Sequence, residues 1–493
     1  MWRGWLLLGT LVLGCGGALP EEGGQEDERS ALGWSPAPGS ARLVKDIFPP
    51  RRGPGWWGPY PESLVAFRGK LFFAVSLEDG GKALWRSDGT SAGTVPVKQF
   101  PGPPNPVFSG LSSLTVVGSR LFFLVEDADH GSELWVTTGT EAGTGLVKDN
   151  LPNPHTLRAV GGRLLFFRYI PGTSATPSHQ ELWKSDGTAA GTVRVKDLGP
   201  DSSLSFPLAV AGNTLYFILS DPAHGTELWK TDGTEAGTGL VKDIIPGSAS
   251  AYPSDLRVLG GYVFFTAWDP AHGKALWRTD GTLAGTQLVA DPVPGPDSGF
   301  MQVLGASGSR LYFALREEPS GHMRLYSLKN GTPGVSVKFV ATLPKPSGDP
   351  EVSLYITTSA TSGGKLYLAL AVYGWGPAPI DEQLWVSDGT ATGTKMLHHP
   401  MSRYDEFGSS LFRVADKVLF NGHADATGLE LWVSDGTPGG TQLLQDIAPG
   451  PGTSFARDFI QVGTHVFFIA NDGIHGNELW VLQVRESNTR TAE

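Results

Sequence analysis

The sequence predicts an all-β protein, a single β-propeller of about nine four-stranded blades, and three observations predict it. A motif built around Leu-Trp and Asp-Gly-Thr recurs about every 48 residues along most of the 493-residue chain. Each recurrence holds four short runs rich in Val, Phe, Leu, Trp and Thr and bounded by Gly, Asp or Pro. That is strand punctuation, with no helical period to compete. Finally, the repeat region opens with a lone fourth strand and stops after a third, so the two ends can complete one blade between them. The 66 Gly and 37 Pro, with only 18% charged residues, fit a turn-rich β protein.

Within one unit the runs follow a fixed order. The first (a) is an alternating stretch such as "DLRVLGG", and the second (b) carries a Phe pair, as in "VFFTA". The third (c) is "ELWKTDGT" and the fourth (d) is "GTGLVKDI". Aligned on the aromatic of c, the units are centred on Trp85, Trp135, Trp183, Trp229, Trp277, Tyr326, Trp385, Trp432 and Trp480. These aromatics and the Phe pairs are expected to fill the space between blades. The c–d turn repeats Asp88, Asp186, Asp232, Asp280, Asp388 and Asp435, where Asp accepts local N–H groups and Gly supplies positive φ. Thr138 and Asn330 stand in the same place in two units.

The d-to-a links are the long ones, which puts d outermost and the next a innermost. Lysines on d (Lys45, Lys98, Lys148, Lys196, Lys242 and Lys338) read as charges that discourage edge-to-edge pairing. The segment "ARLVKDI" (41–47) is expected to pair with "NELWVLQV" (477–484) and close the ring. Nine blades exceed the usual range of about four to eight. Two smaller rings divided near the irregular sixth unit, or an open array, are the alternatives; the reciprocal ends favour one ring.

The pattern resembles the ELWxxDGT repeat family, also called hyalin-like repeats, of exported bacterial proteins, over about residues 41–484. "MRLYSLKNGT" of the sixth unit departs furthest. The resemblance implies a secreted or surface-anchored propeller and brings no reaction or functional residues with it. Before the repeats, "MWRGWLLLGTLVLGCGG" has the layout of a secretory signal, too short for a spanning helix. "VLGC" resembles a bacterial lipobox, which implies a signal peptide over 1–14 and a lipidated Cys15. Cys15 is the only cysteine, so no internal disulfide competes for it. Gly16 after it implies the outer membrane or cell surface. Residues 15–40 then read as a flexible tether, 41–484 as the propeller and 485–493 as a tail.

For chemistry the repeats offer little. A net charge of −11 with scattered cations argues against nucleic acid. His130, His224, His272 and His475 recur in b–c hairpins beside Asp, but equivalent places around a ring lie too far apart to share one metal, so no metal or cofactor is expected beyond weak hairpin calcium. Asp255, Asp416 and Asp458 look isolated. Loop expansions carrying Arg51, Arg52, Trp56, Trp57, Tyr60 and Trp375 are expected to share one rim as a binding surface. The expected function is therefore a non-catalytic, monomeric, lipid-anchored surface propeller that binds or scaffolds an extracellular protein or glycan. The alternative is a propeller hydrolase or lyase acting on extracellular polysaccharide.

Overall fold

The computed structural model describes residues 34–36, 39–47 and 61–486, except 78–79, 101–109, 128–130, 297–298, 318–319, 330–336, 345–351, 375–378 and 402–409. The described residues form strands and turns without helix. Eight sheets are consecutive antiparallel meanders, beginning with blade 1 (Glu62–Phe67, Lys70–Ser76, Lys82–Ser87 and Val95–Phe100). The ninth is built from Arg457–Val462, His465–Asn471 and Asn477–Glu486, with Arg42–Lys45 laid beside the last of these in the register Arg42↔Val481 and Leu43↔Trp480. First strands touch at seven of the nine junctions between neighbouring blades, including that of blades 1 and 9, so a is the innermost strand and the nine blades form one ring.

The apolar alternation of strand b does most of the packing. Phe73, Phe123, Phe166, Phe217, Phe265, Phe313 and Phe468 are fully buried between blades. The c-strand aromatics sit further out. Trp229, Trp277 and Trp480 are buried, whereas Trp85, Trp135, Trp183, Tyr326, Trp385 and Trp432 are partly covered and lean on the clusters between blades.

Two expectations are corrected. The d-strand lysines do not simply guard an edge; several reach across to the next blade. Lys45, Lys196 and Lys242 donate to the carbonyls of Thr94, Thr238 and Thr286 at 2.9, 2.7 and 3.1 Å. Lys45, Lys98 and Lys242 also lie 5.7, 5.9 and 5.5 Å from the ring centroids of Trp85, Trp135 and Trp277. A bulge in d beside the Leu-Trp pair turns these side chains sideways. At Lys45 and Lys242 the latch combines a hydrogen bond with a cation–π contact; Lys196 shows the first and Lys98 the second. Lys338 stands three residues before the latch position, which Ala341 holds opposite Leu325; it lies opposite Ser327 and donates to the Gly389 carbonyl. His398 and Gln445 take the latch position in blades 7 and 8. His398 packs 4.2 Å from the Trp432 ring, and Gln445 exchanges two hydrogen bonds with the backbone of Ala41.

The second correction concerns the tether. Trp34–Pro36 pairs with Val484–Glu486, and the Gly39 N–H donates to the Leu444 carbonyl. Ordered chain therefore starts before residue 41, and the last strand runs past 484.

Candidate functional site

The two rims of the ring are built differently. On one lie the a–b hairpins and the SDGTxxGT turns, where one network repeats. In blade 4 the Asp232 carboxylate accepts the Thr234 N–H and hydroxyl (2.8 and 2.6 Å), and the Thr234 hydroxyl accepts the Gly237 N–H (3.0 Å). The Thr238 hydroxyl returns to the Thr234 carbonyl and meets Thr231. The same Asp–Thr contacts recur at Asp88, Asp186, Asp280, Asp388 and Asp435. Bonds from the following Thr, side chain first and backbone next, hold the carboxyls of Asp88, Asp186, Asp232 and Asp280 below the usual range. The turn also serves the preceding blade: Arg42, Arg86 and Lys230 donate to the carbonyls of Gly89, Gly139 and Gly281. Most polar atoms of the motif thus hold the turn itself, while its glycine carbonyl ties it to the preceding blade.

On the opposite rim strand a begins and strand c begins, and here the blades differ. Strand a carries a bulge with a non-glycine residue at positive φ, at Ser63, Ser113, Thr156, Asp255 and Asp458. The bulge brings residues of a within reach of the first residues of c, across the end of b. Blade 1 places Lys82 2.7 Å from Glu62. Blade 3 joins His155 to Gln180 at 3.0 Å, and burial holds this imidazole below its usual pKa. Blade 7 joins Thr357 to Glu382 at 3.1 Å, and blade 9 joins Arg457 to Asn477 at 3.4 Å.

Blade 5 brings together ionisable groups of opposite sign. The Asp255 carboxyl, bonded by the hydroxyls of Ser254 and Thr266, is pushed up by burial while Lys274 and Arg257 pull it down. The Lys274 amine is pushed down by burial while Asp255 opposes. Asp255 thus stands among cations rather than beside a second carboxylate. Asp458 also stands apart from other carboxylates, beside Arg457 at 3.7 Å. Asp416 belongs to the other rim, packed where a Cβ on Gly363 would be.

From blade 5 the site runs on through aromatic rings. Lys274 lies 5.7 Å from the Phe300 centroid, and Arg316 lies 5.6 Å from Phe300 and 5.4 Å from Tyr355. Phe300 and Tyr355 meet edge to face at 5.9 Å, as do Tyr355 and Tyr373 at 5.5 Å. Sequence reasoning missed Lys274, Phe300, Arg316 and Tyr355. Their signal was faint: they are the places where one unit stops resembling the next.

Other expected site residues fall elsewhere. Cys15, His130, Arg51, Arg52, Trp56, Trp57, Tyr60 and Trp375 lie outside the described residues. His224, His272 and His475 each bind the Asp of their own hairpin, Asp221, Asp269 and Asp472, at 3.0, 2.9 and 2.6 Å. The Glu of "ELW" has two tasks. Glu133 and Glu181 accept the indole N–H of Trp135 and Trp183. Glu227, Glu430 and Glu478 instead take N–H groups of Ile245, Ile447 and Ile47 after strand d. Burial raises Glu227 and Glu430 to about 7.

No family model and no curated protein matches the chain. Solved structures do. A prolyl endopeptidase, from a study of two such enzymes, aligns at 11% identity and a TM-score of 0.41, covering 84% of this chain and 55% of the other. Oligopeptidase B from Leishmania major aligns at 10% and 0.42, covering 76% and 53%. The β-propeller domain of the Trilobed protease from Pyrococcus furiosus aligns at 13% and 0.35, covering 78% and 98%. The chain thus spans about half the length of the first two. At this distance the likeness concerns fold, and no peptidase residue or peptide substrate carries over. The expectation of a non-catalytic binder or scaffold is set aside on the residues of blade 5, where Asp255 and Lys274 sit partly buried beside each other. The hydrolase alternative is the reading retained.

Proposed function

We propose that this protein is a hydrolase or lyase of extracellular polysaccharide, working on the variable rim around blades 5 to 7. The observation that carries the reading is the pair Asp255 and Lys274. Burial moves the carboxyl up and the amine down, so each is biased toward its neutral form, in which a carboxyl can give a proton and an amine can take one. Cleaving a glycosidic link needs both acts: a proton for the departing oxygen, and a base toward water or toward a carbon-bound hydrogen. The rings of Phe300 and Tyr355 beside the pair suit the apolar faces of sugars. With the full-length chain and a panel of extracellular polysaccharides, new reducing ends are expected. Asp255→Asn and Lys274→Gln should each lower their release at least about 100-fold. No reducing ends from any polysaccharide would overturn the reading.

Membership of the ELWxxDGT repeat family and attachment through a lipidated Cys15 to the outer membrane or cell surface belong to the same proposal. Such an enzyme would meet polymers too large to enter a cell. Cys15→Ser is expected to move the protein from the membrane fraction to the soluble one; continued detergent-dependent membrane association would speak against the anchor.

A further inference from the structure

We infer that the substrate is an acidic polysaccharide, one of whose acidic sugars docks on the platform formed by Phe300, Arg316 and Tyr355. The inference rests on the reading above and names the substrate class for the same rim. Three features of the platform argue for it. First, Arg316 is set against two rings at once, and its own N–H donates to the Phe300 carbonyl at 2.9 Å, so strand b, the d–a link and the cation form one unit. A guanidinium fixed on aromatic faces loses little freedom when it meets a carboxylate or sulfate, for which its planar fork is matched. Second, Tyr355 is 36% exposed, and with Phe300 and Tyr373 it offers rings at right angles, one face for a sugar and one edge for its neighbour. Third, Arg257 beside Asp255 brings further positive charge toward the reacting pair. A neutral glycan would need the rings but would gain nothing from these cations.

Nucleic acid uses stacking and cations too. The charges here are sparse and interleaved with Asp255, Glu317 and Glu382, on a chain of net charge −11. That suits an anion on some sugars of a chain better than one phosphate at every nucleotide.

The test uses the full-length protein with three probes: oligogalacturonate, a neutral glucan oligomer of equal length, and oligothymidylate. Oligogalacturonate is expected to bind at least about tenfold tighter than either, with affinity falling as salt rises. Arg316→Gln and, separately, Tyr355→Ala should each weaken it about tenfold, with melting temperature unchanged for the arginine variant. Arg316→Lys should restore only part, because an ammonium lacks the planar fork. Equal binding of the neutral glucan, tighter binding of oligothymidylate, or unaltered affinity in Arg316→Gln would overturn the inference. The two readings fail differently. Binding of the acidic oligomer without cleavage of any polysaccharide leaves the platform standing and removes the enzyme. Cleavage of a neutral polysaccharide that Arg316→Gln does not slow leaves the enzyme standing and removes the platform.

Discussion

The turn rim and the opposite rim of this ring are made from the same repeat, yet they have diverged in opposite directions. At the turns, Ser, Asp, Gly and Thr recur with the same bonds in six blades, and each group serves its own turn or the blade before it. Where strands a and c begin, the corresponding positions hold Glu62 with Lys82, His155 with Gln180, Asp255 with Lys274, and Thr357 with Glu382. The difference shows which part of the repeat is tied to closure of the ring and which part is free to specialise. A residue whose polar atoms hold its turn or tie it to the neighbouring blade cannot change without loss. One that only bridges the end of its own sheet can.

The largest effect is expected at the turns. A Cβ on Gly237 would lie 2.1 Å from the Asp232 carboxylate, so Gly237→Ala must expel that side chain from its bonds to Thr234. A loss of about 2–3 kcal/mol is expected in denaturant unfolding. Gly239→Ala, with nothing within 4 Å, should change stability by less than about 1 kcal/mol. Equal effects of the two would break the contrast between tied and free positions.

A smaller effect sharpens the comparison on the other rim. Glu227 and Glu430 have folded values of about 7 against an ordinary 4.5, burial being the main cause. A carboxyl raised by folding binds more protons in the native state, so its contribution is complete below the unfolded value and is lost as pH rises through about 7. Stability is therefore expected to fall between pH 5 and pH 8, by on the order of 1–2 kcal/mol per group. Glu227→Gln with Glu430→Gln should flatten that slope, as read by unfolding midpoints across the range. An unchanged slope in the double variant would show that other groups set it.

Much of this fold was legible because the repeat states it nine times. The Leu-Trp and Phe-Phe positions mark strands c and b, the DGT turn marks the c–d corner, and the lone d strand at 41–47 points to the last blade. The site was not legible in the same way. Asp255 and Lys274 are nineteen positions apart in sequence, and the bulge at Asp255, with its positive φ, brings the start of a to the start of c. No residue type announces that conformation, since Ser, Thr and Asp all occupy it. The lysine latches were hidden for a related reason. A bulge in d changes which way Lys242 points, and alternation alone assigns it to solvent.

The central claim, that chemistry lives on the variable rim and closure on the turn rim, is tested most directly by one paired measurement. Asp255→Asn and Asp232→Asn are compared with the parent chain for release of reducing ends from an acidic polysaccharide and for thermal midpoint. The account predicts that Asp255→Asn abolishes release and leaves the midpoint within about 2 °C, while Asp232→Asn lowers the midpoint and keeps activity at temperatures where it is folded. Activity retained in Asp255→Asn, or lost in folded Asp232→Asn, would contradict it.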